Sequence, residues 1–227
     1  AARIARMAAR HGVARMVQIS AIGADVNSES LYATSKAEGE AAVLKHMPDA
    51  MILRPSIIFG AEDQFFNRFA GMTRMSPFLP VVGGATRFQP VYVDDVAAAA
   101  EKGITGSAPG GIYELGGPEV ESFRGLMQRM LDIVMRRRVI LNVPMWIARI
   151  MAFSFDILEK ITFGLIPNGM ITRDQVKNLR NDNVVGDGVK TFADLGIVPS
   201  SMESVLPDYL WRFRPSGQYD AIKQSAQ

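Results

Sequence analysis

The chain contains no cysteine and only two histidines among its 227 residues. Without cysteine it can form neither a disulfide nor a catalytic thiolate. The histidines, His11 and His46, are isolated in the sequence, which excludes the ordinary zinc sites that need clustered imidazoles or thiolates. We therefore predict no metal site, and the lack of cysteine fits a reducing compartment.

The chain also has no large excess of positive or negative charge. Lysine and arginine exceed aspartate and glutamate by only two, so the isoelectric point near 9.0 reflects a near balance. Such a small net charge gives no reason to expect a nucleic-acid partner. A hydrophobic content of 48% is ordinary for a soluble globular protein, and the length allows one large or two small domains.

No glycine-rich turn between a strand and a helix occurs in the first part of the chain. Residues 1–12 are predicted to form a helix that has no cap and ends at Gly12. Its arginine-rich, acid-poor composition is also typical of a transit peptide. The direct passage into a strand at Arg15 favours instead the crossover helix of a βαβ unit. We therefore expect a further segment upstream of residue 1.

Strand-like and helix-like runs alternate along most of the sequence. The predicted strands are Arg15–Ser20, Ala50–Arg54, Phe88–Val93, Gly111–Gly116 and Val139–Val143. The predicted helices lie near 30–46, 62–75, 94–103, 121–137, 144–163, 172–181 and 202–213. This order predicts an α/β fold, a doubly wound parallel sheet of Rossmann type whose N-terminal part is missing.

The alternation gives way to a mostly helical composition near residue 118. We predict that residues 1–62 and 87–118 form the C-terminal part of a dinucleotide-binding domain. Residues 63–86 and 119–227 are predicted to form a smaller, mostly helical domain. Asp94 is expected to cap the helix that follows the third predicted strand.

Tyr32 and Lys36 are four residues apart at the start of the second predicted helix, so they share one of its faces. There the ammonium can lower the pKa of the phenol from about 10 towards neutrality. Ser20, at the end of the preceding strand, can donate a hydrogen bond to a substrate carbonyl. The three residues predict a proton-transfer site; the alternative is an exposed tyrosine on a surface helix. A second pair, Tyr219 and Lys223, lies in a polar tail and is interpreted as accidental.

Several motifs appear in the order found in a known family. They are Val17–Ala21, the pair Tyr32 and Lys36, Leu53–Gly60, Tyr92–Ala97 and Tyr113–Pro118. In this respect the chain resembles extended and atypical short-chain dehydrogenases. Ser20–Asp25, Thr172–Val176, Asp182–Val185, Leu195–Ile197 and Leu206–Leu210 further resemble the NAD(P)H-binding accessory subunit of respiratory complex I and its bacterial relatives.

The resemblance implies a cofactor, NADP(H) or NAD(H), and a role for each matching residue. Lys36 would bond the nicotinamide ribose, Tyr32 would be the acid/base or a second ribose contact, and Ser20 would orient a carbonyl. The backbone that faces the carboxamide would come from Pro55, Ser56, Ile57 and Ile58. Ala21 stands where many active relatives carry a second hydroxyl residue, which weakens the catalytic interpretation.

The narrower resemblance implies an accessory subunit that binds its nucleotide without turnover. Its partners would be other complex I subunits. It would lie peripherally on the cytoplasmic face of the bacterial inner membrane or on the matrix side of the mitochondrial one. A free-standing NAD(P)-dependent reductase, dehydrogenase or epimerase using Tyr32 and Lys36 is the alternative. A cofactor-free interaction module is a third.

Residues 144–163 carry an apolar stripe at helical spacing that begins with Trp146 and Ile150. Charged residues, among them Arg149 and Asp156, interrupt it, so it is not a membrane span. A core helix of the smaller domain is the favoured interpretation. The alternative is peripheral contact with anionic lipid through residues 136–163, since three consecutive arginines, 136–138, precede the stripe.

Overall fold

The structure is a computed structural model of the chain and describes residues 1–148, 150, 173–215 and 217. In these residues helices α1 to α7 span Ala2–Arg10, Leu31–His46, Phe66–Met75, Val93–Thr105, Phe123–Ile133, Arg173–Asn178 and Met202–Leu210. Strands β1 to β9 span Val17–Ile19, Met51–Pro55, Ile58–Phe59, Phe78–Val82, Arg87–Phe88, Val91–Tyr92, Gly111–Leu115, Glu121–Ser122 and Val139–Val143. Short 3-10 helices cover Ala193–Leu195 and Trp211–Phe213.

A parallel sheet of three strands in the order β1-β2-β7 forms the centre of the first part of the chain. Alternate residues of β2 face opposite sides. Ile52 packs with Ala5 of α1 and Val43 of α2, whereas Met51 and Leu53 pack against α4. Helices therefore cover both faces, and the predicted doubly wound α/β fold is confirmed.

The predicted strand Phe88–Val93 is wrong as a single strand. It is divided into β5 and β6, and β6 pairs with β3 outside the three-stranded sheet. Pro90 explains the division because proline has no N–H to donate to a strand ladder. The predicted cap is also wrong: Tyr92 is the N-cap of α4, and Asp94 lies in the first turn, where it accepts the Tyr92 hydroxyl at 2.7 Å.

The chain forms two compact units, each built from separate stretches. Unit 1 comprises Ala1–Phe65, Phe88–Val120 and Asn183–Tyr209; unit 2 comprises Phe66–Arg87, Glu121–Asp182 and Leu210–Gln227. Residues 183–209, which the sequence analysis gives to the smaller domain, thus belong with the sheet. The physical reason is burial, because Phe192 and Leu195 join the core cluster that contains Leu53 and Tyr113.

In unit 2, β4 and β9 form a parallel pair with Phe78 opposite Val139 and Pro80 opposite Leu141. The intervening side chains Leu79, Val81 and Ile140 are buried.

Of the predicted helix 144–163, residues 145–148 are helical. Residues 149 and 151–163, like the pair Tyr219 and Lys223, lie outside the described residues. None of the helices described is long and apolar enough to cross a membrane.

Candidate functional site

Helix α2 presents Tyr32 and Lys36 in its first two turns. Ser30 is its N-cap, and its hydroxyl accepts a hydrogen bond from the N–H of Ala33 at 3.4 Å. Tyr32 is 48% exposed, and the Nζ atom of Lys36 lies 5.4 Å from the centre of its ring. The structure thus brings the pair together on one face of α2, as their spacing predicts.

The ammonium lies over the phenol ring, where a cation interacts with the π face. Partial burial raises the pKa of Tyr32 above its ordinary value of 10.0. The expected lowering of that pKa by Lys36 is therefore wrong for this arrangement, and Tyr32 is a protonated phenol at neutral pH.

Ser20 is buried, with 3% of its surface exposed. Its hydroxyl donates a hydrogen bond of 2.5 Å to the Oε1 atom of Glu40 on α2. A hydroxyl has one proton to donate, so this bond takes the proton that would polarise a substrate carbonyl. The next residue, Ala21, has no hydroxyl to replace it.

Glu40 belongs to a buried charge cluster at the carboxyl ends of the central strands. Arg54 at the end of β2 donates to it from Nε at 2.9 Å and from Nη2 at 2.6 Å. A further oxygen, Oε1 of Glu114 on β7, lies 3.5 Å from Nη1 of Arg54. The hydrogen bond to Glu40 is the main cause that raises the pKa of Arg54, so the guanidinium stays charged. The cluster joins α2 to β2 and β7 and thereby positions Tyr32 and Lys36 at this edge of the sheet.

The loop after β2, predicted to face the nicotinamide, is largely packed. Pro55 and Ser56 are buried, and Ile57 and Ile58 are half-buried. The hydroxyl of Ser56 donates to Oδ1 of Asn183 at 2.6 Å, and Nδ2 of Asn183 donates to the carbonyl of Ile22 at 3.5 Å. Asn183 thus links the loops that follow β1 and β2.

Residues 183–190, here called the return segment, continue along the same edge. The N–H of Val185 donates to the side chain of Gln89 at 3.1 Å, and the N–H of Gly186 donates to Oε2 of Glu114 at 3.0 Å. The N–H of Glu114 in turn donates to the carbonyl of Lys190 at 2.8 Å. The return segment is therefore bonded to the same carboxylate that contacts Arg54.

Sequence reasoning did not identify Glu40 or Asn183 as part of the site. Glu40 lies four residues after Lys36, at the spacing that places it on the same helical face, so the helical period was the available signal. For Asn183 no comparable signal exists, because its partner Ser56 is 127 residues away. What the site presents is a phenol and an ammonium at the carboxyl edge of a parallel sheet, where doubly wound proteins bind their ligands.

Comparison with known proteins gives a matching family and several curated relatives, two of which are described below. Residues 1–138 match the family described as RmlD substrate binding domain. The chain is 36% identical to the mitochondrial NADH dehydrogenase [ubiquinone] 1 alpha subcomplex subunit 9 of Arabidopsis thaliana, over 96% of this chain and 55% of that protein. It is 30% identical to the mitochondrial NADH-ubiquinone oxidoreductase 40 kDa subunit of Neurospora crassa, over 97% of this chain and 56% of that protein. The chain therefore spans about half the length of these relatives.

Solved structures share the fold at low identity. The dTDP-glucose 4,6-dehydratase DesIV of Streptomyces venezuelae, with NAD and TYD bound, matches with a TM-score of 0.64 at 19% identity, covering 99% of this chain and 65% of that one. A dTDP-4-dehydrorhamnose reductase of Clostridium acetobutylicum matches with a TM-score of 0.56 at 19% identity, covering 80% of this chain and 69% of that one. These likenesses concern the Rossmann-like fold alone.

Proposed function

This chain belongs to the short-chain dehydrogenase family, because residues 1–138 match the RmlD substrate binding domain, and we propose that it is a nucleotide-binding accessory subunit of respiratory complex I. In this proposal NADP(H) or NAD(H) is bound without turnover. The observation that carries it is the commitment of the Ser20 hydroxyl to Glu40, beside Ala21. The site has a pair suited to bind a ribose but no available hydroxyl at the strand end to polarise a carbonyl.

Half-buried Lys36 and exposed Tyr32 fit the ribose half of a nicotinamide nucleotide. Lys36 has an ammonium and Tyr32 a phenol, both of which can hydrogen-bond ribose hydroxyls. In the same proposal the backbone of Pro55, Ser56, Ile57 and Ile58 faces the carboxamide. Part of it is held within the chain, since the N–H of Ser56 donates to the carbonyl of Leu115, and the carbonyls of Pro55 and Ile57 accept from Ile22 and Val91. When bound, the nucleotide would supply hydride-transfer chemistry; this chain would orient it and hold the Tyr32 proton in place.

The names of the similar relatives support the partners that we propose, which are other complex I subunits. The proposed location is peripheral, on the cytoplasmic face of a bacterial inner membrane or the matrix side of a mitochondrial one. Contact with anionic lipid through residues 136–163 belongs to the same proposal.

The test compares three substitutions on α2. Each variant is expressed in the native organism, and membranes that contain it are purified. Lys36→Ala should weaken nucleotide binding by about 1–3 kcal/mol, because it removes charge-assisted bonds to the ribose. Lys45→Ala removes an exposed lysine near the end of the same helix and should leave binding unchanged. Tyr32→Phe should cost little nucleotide. Complex I content, quinone reduction and nucleotide released from the purified complex are measured for each variant.

The order of the effects decides between the accessory role and the enzyme. For an accessory subunit, Lys36→Ala lowers complex I content more than Tyr32→Phe does, and Tyr32→Phe leaves quinone reduction nearly intact. For a reductase, loss of the acid/base group would lower the rate by about 10²–10⁴-fold. Substrate-dependent NAD(P)H oxidation by the isolated protein that disappears in Tyr32→Phe would overturn the proposal.

A further inference from the structure

The strand pair β4 and β9 of unit 2 has an apolar face that is open to solvent. The outward residues are opposite one another in two cross-strand pairs: Phe78 with Val139, and Pro80 with Leu141. Phe78 is 50% exposed, Val139 56% and Leu141 44%, and Met75 just before β4 is 91% exposed. Single exposed apolar residues are common, but two adjacent cross-strand pairs make a contiguous patch. We call these five residues the apolar face.

Five arginines gather near the end of this face where both strands begin. They are Arg74, Arg136, Arg137, Arg138 and Arg214. Arg74 lies in the last turn of α3, directly before Met75, and the run of three ends directly before Val139. We call them the arginine rim.

Backbone carbonyls hold three rim side chains in fixed positions. Nε of Arg138 donates to the carbonyl of Thr73 at 2.9 Å, and Nε of Arg136 donates to that of Phe213 at 2.8 Å. Nε of Arg214 donates to the carbonyl of Ile133 at 2.9 Å. Each of these guanidiniums has further N–H groups, since arginine carries five donors.

Two more observations place Arg74 and connect it with the other rim charges. Arg74 lies over the ring of Phe213, with its central guanidinium carbon 6.0 Å from the ring centre. Burial, followed by the charges of Arg138 and Arg74, lowers the pKa of Arg136. The like charges are therefore close enough to act on one another.

Carboxylates are absent from the sequence around both strands. Residues 64–93 and 133–155 contain no aspartate or glutamate. Within the described parts of the chain, no carboxylate oxygen comes within 4.0 Å of a rim guanidinium, whereas Arg87 and Arg129 of the same unit both have one. The rim is thus a cluster of positive charge that the described part of unit 2 does not neutralise.

We propose that the apolar face and the arginine rim bind the surface of an anionic phospholipid bilayer. The rim takes lipid phosphates, which guanidinium groups bind with paired hydrogen bonds, and the apolar face enters the boundary between headgroups and acyl chains. This inference rests on the proposed function in one respect: a peripheral subunit of a membrane complex lies next to a lipid bilayer. Of the lipid contact proposed above for residues 136–163, this inference keeps residues 136–141 and adds residues of α3 and β4.

The first test measures sedimentation of the purified chain with vesicles. One set contains phosphatidylcholine alone, and the other contains phosphatidylcholine with phosphatidylglycerol. The double variant Arg74→Gln and Arg137→Gln removes two rim charges that make none of the side-chain bonds to backbone carbonyls described above. Since each basic residue near an anionic surface contributes about fivefold in affinity, the pair should lose about 25-fold on the anionic vesicles.

Matched controls separate a specific surface from general charge. Lys45→Gln with Arg180→Gln makes the same change in net charge at exposed positions that are not part of the rim, and should keep the binding. Arg74→Lys with Arg137→Lys keeps the charge and should retain most of it. Equal losses in the two glutamine pairs, or equal binding of the unaltered chain to both vesicle sets, would overturn the proposal.

The second test addresses the apolar face. Phe78→Ser with Val139→Ser should lower binding to anionic vesicles, whereas Ile104→Ser with Val198→Ser, at exposed positions of unit 1, should not. Circular dichroism of each variant establishes that it is folded. Binding that is unaffected by loss of Phe78 and Val139 would count against insertion.

These assays use neither nucleotide nor other subunits, so their result is independent of the proposed function. If the chain assembles into complex I but does not bind anionic vesicles, only the lipid inference is wrong. If the chain binds these vesicles through the rim but does not assemble into complex I, only the proposed accessory role is wrong. Retention of the unaltered chain on an acidic protein but not on vesicles, lost in Arg74→Gln with Arg137→Gln, would identify a protein surface as the partner and overturn the lipid inference.

Discussion

At the scale of single residues, the position of the Lys36 ammonium determines what Tyr32 can do. The cation interacts with the ring face, and partial burial raises the pKa of the phenol. A hydroxyl with a raised pKa keeps its proton and serves as a hydrogen-bond donor. It is poorly suited to exchange that proton at neutral pH.

We predict that Tyr32 ionises above its ordinary value of 10.0. The fold favours the protonated form, so this contribution to stability is present below about pH 10 and is lost as the pH rises through the pKa of the folded protein. Ultraviolet difference spectra of the chain minus Tyr32→Phe would follow the titration. A midpoint below 10.0 would mean that Lys36 stabilises the phenolate, and would favour the enzyme instead.

The same scale separates what sequence could predict from what it could not. The shared face of Tyr32 and Lys36 follows from the helical period alone. The partner of Ser20 does not, because Glu40 is 20 residues away and reaches it only after α2 has packed beside β1. The sequence therefore predicts that Tyr32 and Lys36 share a face of α2, but not that the Ser20 hydroxyl is bonded to Glu40.

At the scale of elements, Glu40 fastens α2 to the sheet. Its carboxylate accepts from Ser20 and twice from Arg54, and it is almost completely buried. Removal of one partner from such a pair leaves the other charge buried and uncompensated.

We predict that Glu40→Gln lowers the free energy of unfolding by about 3 kcal/mol, near the low end for a broken buried pair, because Glu114 still lies beside Arg54. Glu38→Gln changes an exposed carboxylate of the same helix and should have an effect within about 0.5 kcal/mol. Urea unfolding of the two variants gives the comparison. Equal, small effects would show that the charge cluster does not hold α2.

Strand prediction gave one strand its observed bounds and failed at another that contains a proline. The run Val139–Val143 is β9 with the predicted bounds. In Phe88–Val93, the side chains indicate a strand, but Pro90 lacks the donor that would continue the pairing. A proline does not always end a strand, since β4 continues through Pro80 opposite Leu141; at Pro90 the chain passes from β5 to β6, which belong to different sheets.

At the scale of the whole molecule, the chain alternates between the two units rather than completing one before the other. The change of composition near residue 118 marks one of these passages. The return at residue 183 has no such mark, because what places 183–209 in unit 1 is burial of Phe192 and Leu195 beside residues more than 70 positions earlier.

We predict that Phe192→Ala loosens the sheet of unit 1. A buried phenylalanine replaced by alanine typically costs about 3–5 kcal/mol, and Phe192 is 3% exposed. Hydrogen–deuterium exchange should show faster exchange of the amides in β2 and β7. Val198→Ala, at a position 92% exposed, is the control and should leave these amides unchanged. Protection that persists in Phe192→Ala would place the return of the chain outside the core of unit 1.

The late return of the chain to unit 1, over residues 183–209, also sets the order in which the parts of unit 1 are synthesised. The sheet strands β1, β2 and β7 are complete in the nascent chain by Leu115, yet Phe192 and Leu195, which close their core, are translated about 75 residues later. At about 5–20 residues per second that interval lasts roughly 4–15 s. During this time the apolar side chains of the sheet that Phe192 and Leu195 later contact are not yet covered by them. Residues 121–182, which belong to unit 2, leave the ribosome in that time. A chaperone that shields apolar surface would therefore act on this protein during translation, between the emergence of β7 and that of Phe192.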